Sequence, residues 1–186
     1  MQKISKILRG FAVFLFFLLI ILSRNLLMAQ TSYTSNVSNG DWDVAGSWTP
    51  AGVPGAADNV TILAGDTINI ISKEQVDDIV INGVLNHFGK SLTVNGNYEI
   101  NGLHQADENI FMNGVGQTID GTGTIRMIGN KNFQINDDRT ILSTANLLIN
   151  LDAGTQDLII ATATVTNEGN VELIGGMKKA VEMVRG

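Results

Sequence analysis

Cysteine is absent from this 186-residue chain, which excludes a disulfide scaffold, a Cys-ligated zinc site, a thiol nucleophile and a lipidated N-terminal cysteine. Basic charge is scarce, with 12 Lys plus Arg against 18 Asp plus Glu. Lys3, Lys6, Arg9 and Arg24 all lie in residues 1–29, which hold no acidic residue. Residues 30–186 therefore carry 8 basic and 18 acidic side chains, a net charge of −10. A nucleic-acid partner would need a basic footprint to displace counterions from phosphates, so that class is excluded. Helical periodicity is nearly missing between Thr31 and Gly176. No Gly-rich phosphate loop precedes a helix, and no nucleophile elbow is present. The spaced Asp-x-Asp-x-Asp-Gly loop and the Gly-Gly-x-Gly-x-Asp repeat of calcium-binding chains are missing too. The sequence implies no cofactor and no metal.

What is present begins with a leader. Met1–Gly10 is short and basic, Phe11–Leu22 is an unbroken run of twelve apolar residues, and Leu27-Met28-Ala29 ends in a small side chain. These are the parts of a secretory signal peptide, with cleavage expected after Ala29. The alternative is an uncleaved anchor. A spanning helix needs ~20 apolar residues, and Ser23, Arg24 and Asn25 interrupt this run. The body is then expected to be secreted or held at the outer cell surface, touching membrane only through the leader before cleavage.

Within the body, short runs alternate apolar and polar residues: Val60-Thr-Ile62, Ile68-Asn-Ile70, Ile79-Val-Ile81, Leu92-Thr-Val94, Tyr98-Glu-Ile100 and others to Val171-Glu-Leu173. Period-two patterning over three to five residues predicts short half-buried strands. Asn-Gly pairs at 82–83, 95–96, 101–102 and 113–114, with Asp120-Gly121, supply turn residues that tolerate positive φ. Their spacing is informative. Ile81-Asn82-Gly83, Ile100-Asn101-Gly102 and Ile119-Asp120-Gly121 recur every 19 residues, and Asn95-Gly96 and Asn113-Gly114 lie 18 apart between them. Ile141 and Ile160 are again 19 apart, after a step of 22. A period near 20 made of short strands predicts an all-β chain folded as a short right-handed parallel β-helix, with stacked asparagines forming amide ladders. The alternative is an antiparallel β-sandwich, because Asn-Gly is also a hairpin signal.

The organisation expected is a signal peptide over 1–29, a Trp- and Pro-containing N-terminal cap over 30–58, coils over 59–176, and a tail over 177–186. The cap would cover the open end of the core with Trp42 and Trp48. The tail, with Met177, Val181 and Val184 at helical spacing, reads either as a short amphipathic cap or as the remnant of a longer chain.

The stretch Asn39–Ile62 resembles the start of β-helical modules in secreted and surface proteins that use the type nine secretion route. That pattern runs Trp, a small-residue loop, Gly-x-Pro, then Gly-x-x-Asp-x-Val-x-Ile. Trp48, Gly52, Pro54, Gly55, Asp58, Val60 and Ile62 fill its places. Ile79–Leu85 and Leu92–Gly96 are similar to segments of the eight-glycine extracellular domain. The resemblance implies an extracellular, adhesive or carbohydrate-associated protein, commonly longer than this one and ending in a β-rich sorting domain that nothing in 150–186 matches. It also implies possible O-glycosylation at Thr67, through Asp66-Thr67-Ile68.

Several residues could carry chemistry. His87 and His104 are 17 apart, which does not match the repeat, so they are expected to be separate, solvent-facing residues near turns; the alternative is a metal pair or a general base. Asp77-Asp78, Asp107-Glu108 and Asp137-Asp138 fall at predicted turns. They read as solvated turn acids or, alternatively, as carboxylates for polysaccharide cleavage, with Asp107, Glu108 and Asp138 the candidates. Lys90, Arg126, Lys131 and Arg139 could meet acidic sugars. Trp42 and Trp48 could stack on a sugar ring if they are not the cap. Tyr98, Phe88 and Phe111 are expected in the core or half-exposed on strands. The function expected is a non-enzymatic, adhesin-like structural module, a fragment of a longer chain. Its partners would be extracellular polysaccharides or surface glycans. A carbohydrate-binding module and a polysaccharide lyase or hydrolase remain alternatives.

Overall fold

Short strands wind into stacked coils, and five of the turns each lay one strand on each of three sheets. The computed structural model describes residues 30–128, 130–151, 158–160 and 163–175. The first coil has β1 (Ser32–Ser35) and β2 (Gly40–Asp41), then a 3-10 turn at Ala45–Ser47 and β3 (Trp48–Thr49). The second has β4 (Asn59–Ile62), β5 (Thr67–Ile70) and β6 (Glu74–Val76), and the third β7 (Ile79–Ile81), β8 (Val84–His87) and β9 (Leu92–Val94). The fourth has β10 (Tyr98–Ile100), β11 (Leu103–Ala106) and β12 (Ile110–Met112), and the fifth β13 (Gln117–Asp120), β14 (Thr124–Met127) and β15 (Phe133–Ile135). The sixth has β16 (Arg139–Ile141), β17 (Asn146–Leu151) and β18 (Leu158–Ile160), and a partial seventh β19 (Val165–Asn167) and β20 (Asn170–Gly175).

The sheets run β19-β16-β13-β10-β7-β4-β1-β3, β2-β5-β8-β11-β14-β17-β20 and β18-β15-β12-β9-β6. Every pairing is parallel except that of β1 with β3. The chain is thus an all-β parallel solenoid of about five turns. Alternation places Val60, Ile79, Ile119 and Ile141 in one inward column of the first sheet and Ile68, Leu85, Ile125 and Ile149 in one of the second.

Coil length is not constant. Along the first sheet the steps are 19 from Val60 to Ile79 and from there to Tyr98, then 21, 22 and 26 to Ile119, Ile141 and Asn167. Two alignments expected from a strict 19 therefore fail. Ile119 pairs with Tyr98, not Ile100, and the glycine that continues the column Gly83–Gly102 is Gly123. A Cβ on Gly102 or Gly123 would lie 2.0 or 2.3 Å from the carbonyl oxygen of the glycine one coil below, so the backbones meet where no side chain fits. Ile160 lies on the third sheet opposite Ile135 and does not stack on Ile141. Asn95 and Asn113 do stack, and amide ladders form between Asn101 and Asn82 (2.9 Å), Asn136 and Asn113 (2.9 Å), and Asn170 and Asn146 (2.7 Å).

The first coil starts earlier than the expected boundary at residue 59. β1 already lies parallel to β4, and β2 to β5, so what remains as cap is the excursion between Trp42 and Asp58. The tail expected at 177–186 lies outside the described residues, as does the leader.

Candidate functional site

Trp42 and Trp48 are fully buried, their rings edge to face with centroids 5.2 Å apart. Trp48 Nε1 donates to the Trp42 carbonyl (2.7 Å) and Trp42 Nε1 to that of Pro54 (3.4 Å), so both polar edges are satisfied inside. No indole face is left for a sugar ring, which corrects the stacking role. The residues that carry the motif assemble around this plug. Gly52 lies against the Tyr33 ring, and Asp58 accepts the N–H groups of Gly55 and Thr31, both at 2.9 Å.

The histidines overturn their expectation. His87 and His104 are 3% and 0% exposed, with their Nε2 atoms 2.8 Å apart, and Tyr98 Oη is hydrogen-bonded to His104 Nδ1. His104 occupies the inward column of Leu85, its partner across the sheet, while His87 sits two residues beyond Leu85 on the same face. A separation of 17 is one coil minus one strand period, which makes the two diagonal neighbours. Burial lowers the His87 pKa to about 4, opposed by the Lys90 backbone, which makes no well-formed hydrogen bond to His87 Nδ1, and by Glu108. Burial, then the neighbouring His87, pushes His104 well down, and burial pushes Tyr98 up. Both imidazoles are neutral at physiological pH. They form a buried hydrogen-bonded chain in the core.

The turn acids are spent on the backbone of adjoining coils. Asp78 Oδ1 accepts from Asn97 N–H (2.7 Å), Asp107 Oδ1 from Gly89 (2.8 Å), Asp137 Oδ2 from Gly114 (2.9 Å) and Asp138 Oδ1 from Thr164 (2.6 Å). Asn97 and Asn109 do the same for Thr118 (3.0 Å) and Asn132 (2.9 Å). Each oxygen satisfies an N–H that the corner would otherwise leave without a ladder partner. Glu108 accepts from Asn109 N–H (3.0 Å) and pairs with Lys131 at 3.1 Å; burial opposes its ionisation, but these two contacts outweigh it and lower its pKa. Among the described residues no three His, Asp or Glu side chains are grouped to hold a metal ion. Glu74 heads the inward column of the third sheet, where burial raises its pKa against a hydrogen bond from Ser72.

Arg139 is the third correction. It is 2% exposed, and its guanidinium donates to the carbonyls of Gly96 (2.7 Å), Val94 (3.2 Å) and Asn113. Burial lowers its pKa to about 10, opposed by Asp137. It ties the sixth coil to the ends of the third and fourth and is not available to acidic sugars. Arg126 lies on the outer face of the second sheet, donating to Gln105 Oε1 at 3.2 Å. Tyr98 is core, Phe111 half-buried, and Phe88 is 57% exposed. Thr67 opens β5 on its outward side, half-buried, while Asp66 accepts from Ser35 Oγ at 2.6 Å.

Outside the core, two features could meet a ligand. Asp41, Asn69, Asn86, Gln105, Arg126 and Asn150 form one outward column of the second sheet. On the first sheet, an open notch of about 220 Å³ is lined by Gly116, Asp138, Arg139, Thr140, Thr164 and Thr166. No protein family, curated protein or solved structure matches the chain.

Proposed function

We propose that this chain is an exported, non-catalytic β-solenoid module that works outside the cell as a rigid spacer and a ligand-displaying surface. The carrying observation is the use of its acids. Asp107, Glu108 and Asp138, the carboxylates best placed for polysaccharide cleavage, each hold a backbone N–H at a coil corner. Glycoside hydrolysis needs two carboxyl groups facing each other across a scissile bond, whereas Asp107 and Glu108 are sequence neighbours at the corner between β11 and β12 and Asp138 lies at a different corner. The histidines, the other candidate acid–base groups, are sealed inside. The basic leader with its twelve-residue apolar run and Ala29 supports export. No helix among the described residues is long and apolar enough to cross a membrane.

Fractionation of producing cells tests export. The protein is expected in the medium or on the outer surface, with Gln30 as the new N-terminus; retention in the cytoplasm with Met1 intact would contradict it. Incubation with a panel of neutral and acidic polysaccharides tests the absence of catalysis. Turnover that disappears in Glu108→Gln or Asp138→Asn would establish an enzyme instead.

A further inference from the structure

The notch on the first sheet is built from two adjoining outward columns. Gly116, Asp138 and Thr164 occupy equivalent places in successive coils, one residue before the register Gln117–Arg139–Val165. Two residues further along, Thr118, Thr140 and Thr166 form the second column. Coil spacing is ~4.8 Å and residues i and i+2 on one face are ~6.8 Å apart. The lining thus presents a small grid of hydroxyls with one carboxylate at its edge. Gly116 leaves the grid open on one side: a Cβ built there meets no atom within 4 Å. Asp138 Oδ1 accepts from the Thr164 N–H, which fixes the carboxylate on an exposed side chain. Among the described residues the hydroxyls of Thr140, Thr164 and Thr166 make no hydrogen bond. The one cation of the lining, Arg139, has its guanidinium committed to three carbonyls inside.

We propose that this notch binds a single neutral sugar ring, held by Asp138 Oδ2 and the hydroxyls of Thr140, Thr164 and Thr166. A carboxylate accepts hydrogen bonds from sugar hydroxyls, and threonine hydroxyls both donate and accept, so the lining suits a ring that bears alternating donors and acceptors. Hydroxyls on opposite sides of a pyranose span the distance between the two columns. An anionic sugar is disfavoured, since Asp138 is the charge it would meet and the body carries −10. The proposal rests on the ligand-displaying function given above and assigns the surface that performs it.

The test is an amide NMR titration of the purified protein with the methyl glycosides of glucose, galactose, mannose and N-acetylglucosamine. Saturable shifts are expected at Gly116, Thr140, Thr164 and Thr166 for at least one probe, with a millimolar dissociation constant. Asp138→Asn, whose amide oxygen can still accept from Thr164, is expected to weaken binding about tenfold. Thr166→Val, which keeps the shape and removes a hydroxyl, is expected to weaken it several-fold. The rest of each variant's spectrum reports whether the fold is intact. Absence of shifts with every probe, shifts confined to the second-sheet column at Asn86 and Gln105, or affinities unchanged in both variants would overturn the site. Binding without release of methanol supports both the site and the non-catalytic module; release of methanol would overturn the latter and leave the site standing.

Discussion

The early and late coils are built by the same rule and packed differently. In the third and fourth coils the strands have three or four residues and the interior is closed: Ile81, Leu85, Val94, Ile100 and Met112 are all fully buried. From the fourth coil onward the steps lengthen to 21, 22 and 26 residues, partly through longer connections. Three residues join β11 to β12, five join β14 to β15, and six separate β17 from β18. Strand pairing tolerates this, because a corner can lengthen without disturbing the register on either side. The interior does not tolerate it as well. An apolar void of about 20 Å³ lies among Ile119, Phe133, Ile141, Leu147, Ile149 and Val171, and Leu158, Ile160 and Leu173 are only half-buried. The early coils compensate for their shorter perimeter with polar rings hydrogen-bonded inside the core, and Arg139 reaches back from the late coils to join them. Coil length and core closure are thus separate properties of a solenoid.

The largest break in this comparison should come from the early end. Trp48→Ala removes an indole from a sealed plug and its hydrogen bond to Trp42, and is expected to cost about 3–5 kcal/mol. Leu147→Ala, beside the late void, should cost nearer 2 kcal/mol. Denaturant midpoints of the two variants measure the contrast; equal losses would mean the two ends are packed alike.

Acid should act first on the early coils. His87 has a folded pKa of about 4 against 6.5 unfolded. Between those values the unfolded chain binds more protons, so stability is complete above pH 6.5 and is lost as pH falls toward 4, by about 3 kcal/mol from this group. His104 shifts in the same direction and adds to the loss. Melting temperatures from pH 7.5 to 4.5 should fall in the wild type and flatten in His87→Leu.

Arg139→Met keeps the length of the side chain and strips three carbonyls of their donor. A loss of about 2–3 kcal/mol is expected, and hydrogen exchange should show protection falling at both the third-coil and the sixth-coil corners. A loss confined to the sixth coil would show that the guanidinium does not couple the two regions. The smallest effect should come from filling the void. Val171→Ile is expected to raise stability by about 0.5–1 kcal/mol, whereas an added methyl in a closed early coil, as in Val94→Ile, should lower it.

Much of this architecture was legible in the chain. Alternation marked strand after strand, and the Asn-Gly spacing identified the solenoid because its first coils keep a step of 19. The histidines show where such reading stops and what comparison extends it. Their separation from each other looked unrelated to the coil. Each compared with Leu85 would have placed them, since His104 is one coil beyond Leu85 and His87 is two residues beyond it. Leu103, the apolar residue beside His104, pointed the wrong way: it is half-buried on the outside and the imidazole is in the core. The turn acids were located correctly, but no local pattern says which backbone N–H a carboxylate will meet 18 to 26 residues away.

The sequence by itself determined an all-β solenoid with a basic, apolar N-terminal segment and an acidic, cysteine-free body, because strand alternation, turn residues and charge are local properties. Only the tertiary structure decided that the histidines and Arg139 are interior, and that Asp138 and three threonines line one notch. Those outcomes depend on which residues of successive coils lie in register. Every residue inserted in a corner changes the sequence spacing between partners, so a constant period read along the chain identifies the coil but loses the column.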